Sequence, residues 1–178
     1  MALVMADCLF AQAEPLGEEK KAGRRAWIMA AEIPENVTNP LRVLSGDKLH
    51  DVQLFARDVG AAIPVDETGA VRAVKTETGP DGKVKYTNLA VAQLAKGTRE
   101  ALIVLVPKAE EEEGLMFKTK VIDLAKFKLG GCLYVNLVKT KIGITIGEEQ
   151  TVVEPGGMEF INLSGEERAV TKPIRFFY

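Results

Sequence analysis

Histidine, cysteine and aromatic residues are all scarce in this chain, and each scarcity closes off a class of function. His50 is the sole histidine, and Cys8 and Cys132 are the two cysteines. A zinc centre needs three or four nitrogen and sulfur ligands at short spacings, so no transition metal and no cofactor is expected. Any Ser-His or Cys-His nucleophile pair must use His50. No Gly-x-Ser-x-Gly elbow or other nucleophile motif occurs. His50 therefore reads as a strand residue at the surface or the core edge, and no catalytic residue is assigned. Aromatics make up only 6% of the residues and Trp27 is the sole tryptophan, which argues against the exposed ring platforms of carbohydrate-binding modules.

An excess of basic charge is lacking too. Lys and Arg number 23 against 25 Asp and Glu, a net charge of −2, and the basic residues are scattered. A nucleic-acid partner needs a basic face, so none is expected. No apolar run approaches the ~20 residues of a spanning helix. What remains is an ordinary globular composition, 47% hydrophobic and 27% charged over 178 residues. That length suits one domain with a real core.

The clearest positive signal is a repeated tetrapeptide, Tyr134-Val135-Asn136-Leu137 and Phe160-Ile161-Asn162-Leu163. Aromatic and β-branched residues fit a pleated, half-buried surface, so both copies read as strands. Asparagine is depleted in strands, and its recurrence points to an amide that satisfies backbone groups where a strand bends or ends; a paired ligand-facing role is the alternative. Around these copies, Leu133 to Val138, Ile142 to Ile146, Thr151 to Glu154, Met158 to Leu163 and Ile174 to Tyr178 read as strands. Glycine and proline turns separate them.

Upstream, Ala26 to Met29, Leu41 to Leu44 and Leu102 to Val106 are short apolar strands, the last stopped by Pro107. Val71 to Thr76 and Lys83 to Thr87 flank Gly79-Pro80-Asp81-Gly82, a hairpin signal. His50, Val52, Leu54 and Ala56 share one face of an extended segment. Leu89 to Leu94 suits a short helix as well as a strand, and is where helix is expected if anywhere. Turn signals at intervals of about 8–12 residues indicate an all-β antiparallel sandwich of immunoglobulin-like or jelly-roll type. No composition shift marks a boundary, so residues 26–178 read as one domain behind a charged leader, residues 14–25.

Met1 to Ala13 carries an apolar stretch ending in Ala11-Gln12-Ala13, the small-x-small form of a signal-peptidase site, although no basic residue precedes it and Asp7 interrupts it. A signal-peptide remnant cleaved after Ala13 is the expectation, with export to the periplasm or cell surface. Cys8 falls in that stretch, and Cys132 reads as a buried strand residue behaving as a small hydrophobe, a disulfide between the two being the alternative.

The proline-ended strand Leu102 to Pro107, then Val135-Asn136-Leu137, Gly147 and Pro155-Gly156-Gly157, resembles a group of uncharacterised exported bacterial β-sandwich proteins. The resemblance implies export and a β-sandwich; that group has no assigned activity and supplies no functional residues.

Candidate chemistry is thin. Asp51, Asp58, Asp66 and Glu67 offer carboxylates, but nothing singles out a pair for glycoside hydrolysis. Glu110 to Glu113 reads as a solvated loop rather than a calcium site. Gly130-Gly131 and Gly156-Gly157 abut strands and read as turn or bulge residues, not phosphate cradles. The chain's aromatic end, Phe176, Phe177 and Tyr178, has two readings. Ile174, Phe176 and Tyr178 share one strand face, and packing that face into the core is the plain one. The other is an edge strand that docks a protein partner or a second copy, with Phe177 as anchor. The function expected is a non-enzymatic, exported structural or binding module of the bacterial cell envelope. The alternative is a carboxylate-based hydrolase of envelope or extracellular polysaccharide, or a carbohydrate-binding module.

Overall fold

Thirteen strands and a single turn of 3-10 helix make up the regular structure of a computed structural model that describes residues 23–56, 58–108, 114–126, 131–162 and 173–177. In chain order the strands are β1 (Arg24–Ala30), β2 (Leu41–Ser45), β3 (Lys48–Val52), β4 (Ile63–Val65), β5 (Ala70–Thr78), β6 (Val84–Gln93) and β7 (Glu100–Pro107). They continue as β8 (Phe117–Asp123), β9 (Gly131–Val135), β10 (Ile142–Ile146), β11 (Glu149–Val153), β12 (Met158–Asn162) and β13 (Ile174–Phe177). The fold is all-β. The helical turn, Leu124–Lys126, is the one helical element among the described residues.

The strands form four small sheets, ordered β4-β1-β7-β8, β3-β2-β5-β6, β11-β10-β13 and β12-β9. All ladders are antiparallel except β1 with β7, where Arg25 lies opposite Glu100 and Ala30 opposite Leu105. Period-two alternation builds the first sheet: Ala26, Ile28 and Ala30 are buried while Trp27 and Met29 between them stay half-buried. The Asp81-Gly82 hairpin forms as its sequence dictates. Gly82 takes a positive φ of 73° and Asp81 accepts the Lys83 amide at 3.2 Å.

Leu89 to Leu94 is strand, not helix. Ala90, Ala92 and Leu94 are buried at 1–4% exposure while Val91 between them is 42% exposed. A period of two, with small alanines turned inward, overrides the helical propensity of the Leu-Ala-Val-Ala run. A bulge at Ala73/Val74 leaves Leu89 as the extra residue on β6. Two further boundaries differ. β1 begins at Arg24, inside the expected leader, because Arg24 and Arg25 pair with Val65 and Pro64. β9 ends at Val135, since Asn136 leaves the ladder. The face expected through Ala56 is buried only as far as Leu54; Ala56 and Phe55 are exposed.

Burial is divided between two clusters. The larger draws on both four-stranded sheets, with Ala26, Val43, Ala90, Ala101, Ile103 and Phe117 among its most buried members. The smaller holds Ile144, Ile146 and Val153, with Tyr134, Ile142 and Ile161 packed on them. The sequence features at Met1 to Ala13, Glu110 to Glu113, Gly130 and Tyr178 lie outside the described residues.

Candidate functional site: the aromatic edge strand

β13 pairs with β10 alone among the described residues. Its register sets Ile174 opposite Ile146, Arg175 opposite Thr145, Phe176 opposite Ile144 and Phe177 opposite Gly143. Directly opposed residues share a face, so Ile174 and Phe176 continue the surface whose centre is the buried Ile144 and Ile146. The β9-β12 pair covers that surface only in part. Tyr134 meets Phe176 edge-to-face, ring centroids 6.2 Å apart, and burial followed by the neighbouring Cys132 thiol pushes the Tyr134 phenol up. Beyond Tyr134 the cover stops, leaving Ile174 at 46% and Phe176 at 55% exposure.

The opposite face of β13 carries Arg175 and Phe177. Phe177 leans across the ladder onto Gly143, where an added Cβ would stand 2.9 Å from the ring. Gly143 in turn lies opposite Val152 on β11, which is 54% exposed. Phe177, Gly143 and Val152 thus form one apolar row across three strands, open to water. Eight of the fourteen large hydrophobics exposed among the described residues fall between Leu137 and Phe177.

Asn136 anchors this region from below. It is 2% exposed, its Nδ2 donates to the carbonyls of Thr140 (2.8 Å) and Val153 (2.9 Å), and its Oδ1 accepts the Val138 amide at 3.0 Å. Its backbone exchanges bonds with Gly157 and Gly156. The amide satisfies backbone groups where β9 ends, as its sequence setting implies; the Asn162 side chain lies outside the described residues. Gly156, at a positive φ of 66°, forms the turn between β11 and β12, and its carbonyl accepts a bond from Lys120 of β8.

The other candidates are engaged in structure. Asp51 faces Arg42 at 3.8 Å across β2 and β3, and Asp58 accepts the Val59 amide at 2.8 Å. Asp66 accepts from Thr68 Oγ1 and the Gly69 amide at 2.6 and 3.2 Å. Glu67 contributes only its carbonyl, to Arg24. His50 lies on β3 opposite Val43, and its Nε2 is buried without a partner. Cys132 is a strand residue of β9 as expected, but half-buried rather than buried, and its thiol is free. No group of three His, Cys, Asp or Glu that could hold a metal ion occurs among the described residues.

Three surface grooves stand out among the described residues. One of about 520 Å³ is lined by Asn36, Thr38, Arg42, Lys75, Leu89 and Met116, and its two cations already face Asp51 and Glu77. One of about 650 Å³ runs past Arg24, Glu67, Gln93 and Thr98. One of about 180 Å³ brings the exposed Glu149 and Glu159 together beside Thr151, Phe160 and Ile161. Sequence reading missed that groove, since its two glutamates lie on strands of different sheets. Comparison with protein-family models, with curated proteins and with solved structures finds no match. No helix among the described residues is long and apolar enough to cross a membrane.

Proposed function

We propose that this chain is a non-enzymatic binding module of the bacterial cell envelope, an exported β-sandwich of immunoglobulin-like or jelly-roll type. In this reading it captures an extended segment of a protein partner along β13. The observation that carries the proposal is the edge itself. Edge strands are ordinarily blunted by charge, proline or brevity. β4 is three residues long with Pro64 at its centre, and β3 carries Lys48 and Asp51. β13 instead offers Ile174, Phe176 and Phe177, all at least 45% exposed, around a single arginine. A partner strand would pair along the edge of β13 that no described strand occupies and bury these side chains. Export rests on Ala11-Gln12-Ala13 and on the resemblance to exported β-sandwich proteins.

The test places a photo-cross-linking phenylalanine analogue at position 176 or, as control, at Tyr86, and combines the analogue at 176 with Ile174→Lys. In native cells the cross-linker at 176 is expected to capture one envelope protein through one extended segment. Adding Ile174→Lys should abolish that adduct with a melting temperature within about 3 °C of the parent. Unfolding of the lysine variant would instead favour the core role for this face, and equal adducts from positions 176 and 86 would reject docking. N-terminal sequencing of protein from native cells should begin at Glu14; an intact start in cytoplasmic protein would refute export.

The alternative, a carboxylate-based hydrolase of polysaccharide, has one observation in its favour, the Glu149 and Glu159 groove. Both carboxylates are exposed, whereas the general acid of such a pair needs burial to hold its proton. Hydrolysis of envelope polysaccharide that is lost in both Glu149→Gln and Glu159→Gln would favour it over the binding module.

A further inference from the structure

The guanidinium of Arg24, at the start of β1, sits in a nest of backbone carbonyls. Nε donates to Thr98 at 2.9 Å; Nη1 to Glu67 at 3.1 Å and Asp66 at 3.5 Å; Nη2 to Ala95 at 2.9 Å and Leu94 at 3.4 Å. Five N–H donors meet five carbonyl oxygens, so the group is saturated. No carboxylate pairs with it among the described residues, and its positive charge is balanced by peptide dipoles alone. Two turns supply the nest: residues 66–69, between β4 and β5, and residues 94–98, between β6 and β7. Gly69 stands directly against the guanidinium; at its positive φ of 75°, an added Cβ would lie 2.7 Å from Nη1. The two turns are also stitched to each other, by Leu94 N to Gly69 O at 2.9 Å and by Gln93 Nε2 to Thr68 O at 2.7 Å.

We infer that this nest is a guanidinium-selective cation site filled in cis, and that its occupant is a latch. Seating Arg24 fixes β1 between β4 and β7 and closes both turns over the end of the first sheet in one step. Planarity decides the selectivity: a fork of five coplanar N–H groups matches carbonyls arriving from two separate turns, and a lysine ammonium with three donors on one atom does not. The same saturation leaves Arg24 no donor to offer an anion in the adjoining groove of about 650 Å³, whose other cations are Lys96 and Arg99.

Chemical rescue tests this on the full chain. Arg24→Ala is expected to melt about 4–8 °C below the parent, with faster amide exchange at residues 66–69 and 94–99. Methylguanidinium chloride at about 20 mM should raise that melting temperature by about 2 °C over the same concentration of sodium chloride, and leave the parent unmoved. Arg24→Lys should show the same loosened turns. The latch is overturned if Arg24→Lys exchanges at parental rates in both turns, or if methylguanidinium gives Arg24→Ala no more than sodium chloride does. If Arg24→Ala does not fold alone, the decision passes to Arg24→Lys, and parental exchange there is the overturning result.

Discussion

Two asparagines show how single side chains hold this fold. Asn39 donates to the Leu54 carbonyl at 3.0 Å and accepts the Leu54 amide at 2.9 Å, standing in for a ladder partner where β3 has ended. Asn136 does the same for three backbone groups at the end of β9. Replacing Asn136 with Ala removes three hydrogen bonds, of which the one to the Val153 carbonyl is buried, and should cost about 1–3 kcal/mol in chemical denaturation. Asn136→Asp should cost more, since a carboxylate would face the Thr140 and Val153 carbonyls. A cost under about 0.5 kcal/mol for both would show that water replaces the amide. His50 makes the opposite case. Its Nε2 is buried and unpartnered, so His50→Leu removes a polar group that nothing satisfies and should leave stability unchanged or raise it by up to about 1 kcal/mol. A loss above about 1 kcal/mol would mean that His50 holds a bond through water. The sequence exposed the Asn136 role through its odd placement in an apolar strand. Arg24 gave no such sign, because its five partners are backbone carbonyls that any residue carries.

At the scale of elements, strands bounded by turn chemistry were legible and those bounded by packing were not. Gly147, Pro155-Gly156-Gly157 and Asp81-Gly82 each close a strand by backbone geometry written into the residue type. β6 depended instead on its alanines facing the first sheet, which no local pattern distinguishes from a helix. The residues of β13 were legible as an aromatic cluster, but their edge position and the Phe177 contact with Gly143 arise only from register. An aromatic ring laid over a cross-strand glycine replaces the missing side-chain contact. Phe177→Ala should therefore cost about 0.5–1.5 kcal/mol and speed exchange of the β13 amides, while Phe176→Ala, whose ring is 55% exposed, should cost less. Equal costs would mean that the Tyr134 contact stabilises β13 as much as the Gly143 contact does.

The molecule as a whole has unequal cores. Among the described residues, nineteen buried side chains form the cluster between the two four-stranded sheets, and three form the cluster of the C-terminal strands. Fully burying three side chains of the Ile and Val kind yields roughly 5–9 kcal/mol, and ordering each residue costs about 1–2 kcal/mol in backbone entropy. Those three side chains alone do not offset the ordering of five strands, and other contacts among the described residues add to them. Two sources are visible: the Asn136 network, and the Lys120 bond that ties the Gly156 turn to β8. The apolar surface left open on β13 is a third, available only when something covers it. Native-state hydrogen exchange should then separate the two parts. Amides of β1 and β7 should exchange slowest, and those of β10 and β11 at least about tenfold faster, opening as a smaller unit below the global free energy. Lys120→Met should widen that gap by loosening the Gly156 turn without touching the larger cluster. Occupation of β13 by a partner strand should narrow it, because burial there adds to the smaller core alone. Equal protection across both parts, unchanged by Lys120→Met, would mean that the strands from Arg24 to Phe177 open together, and the C-terminal sheets would then need no partner to complete them.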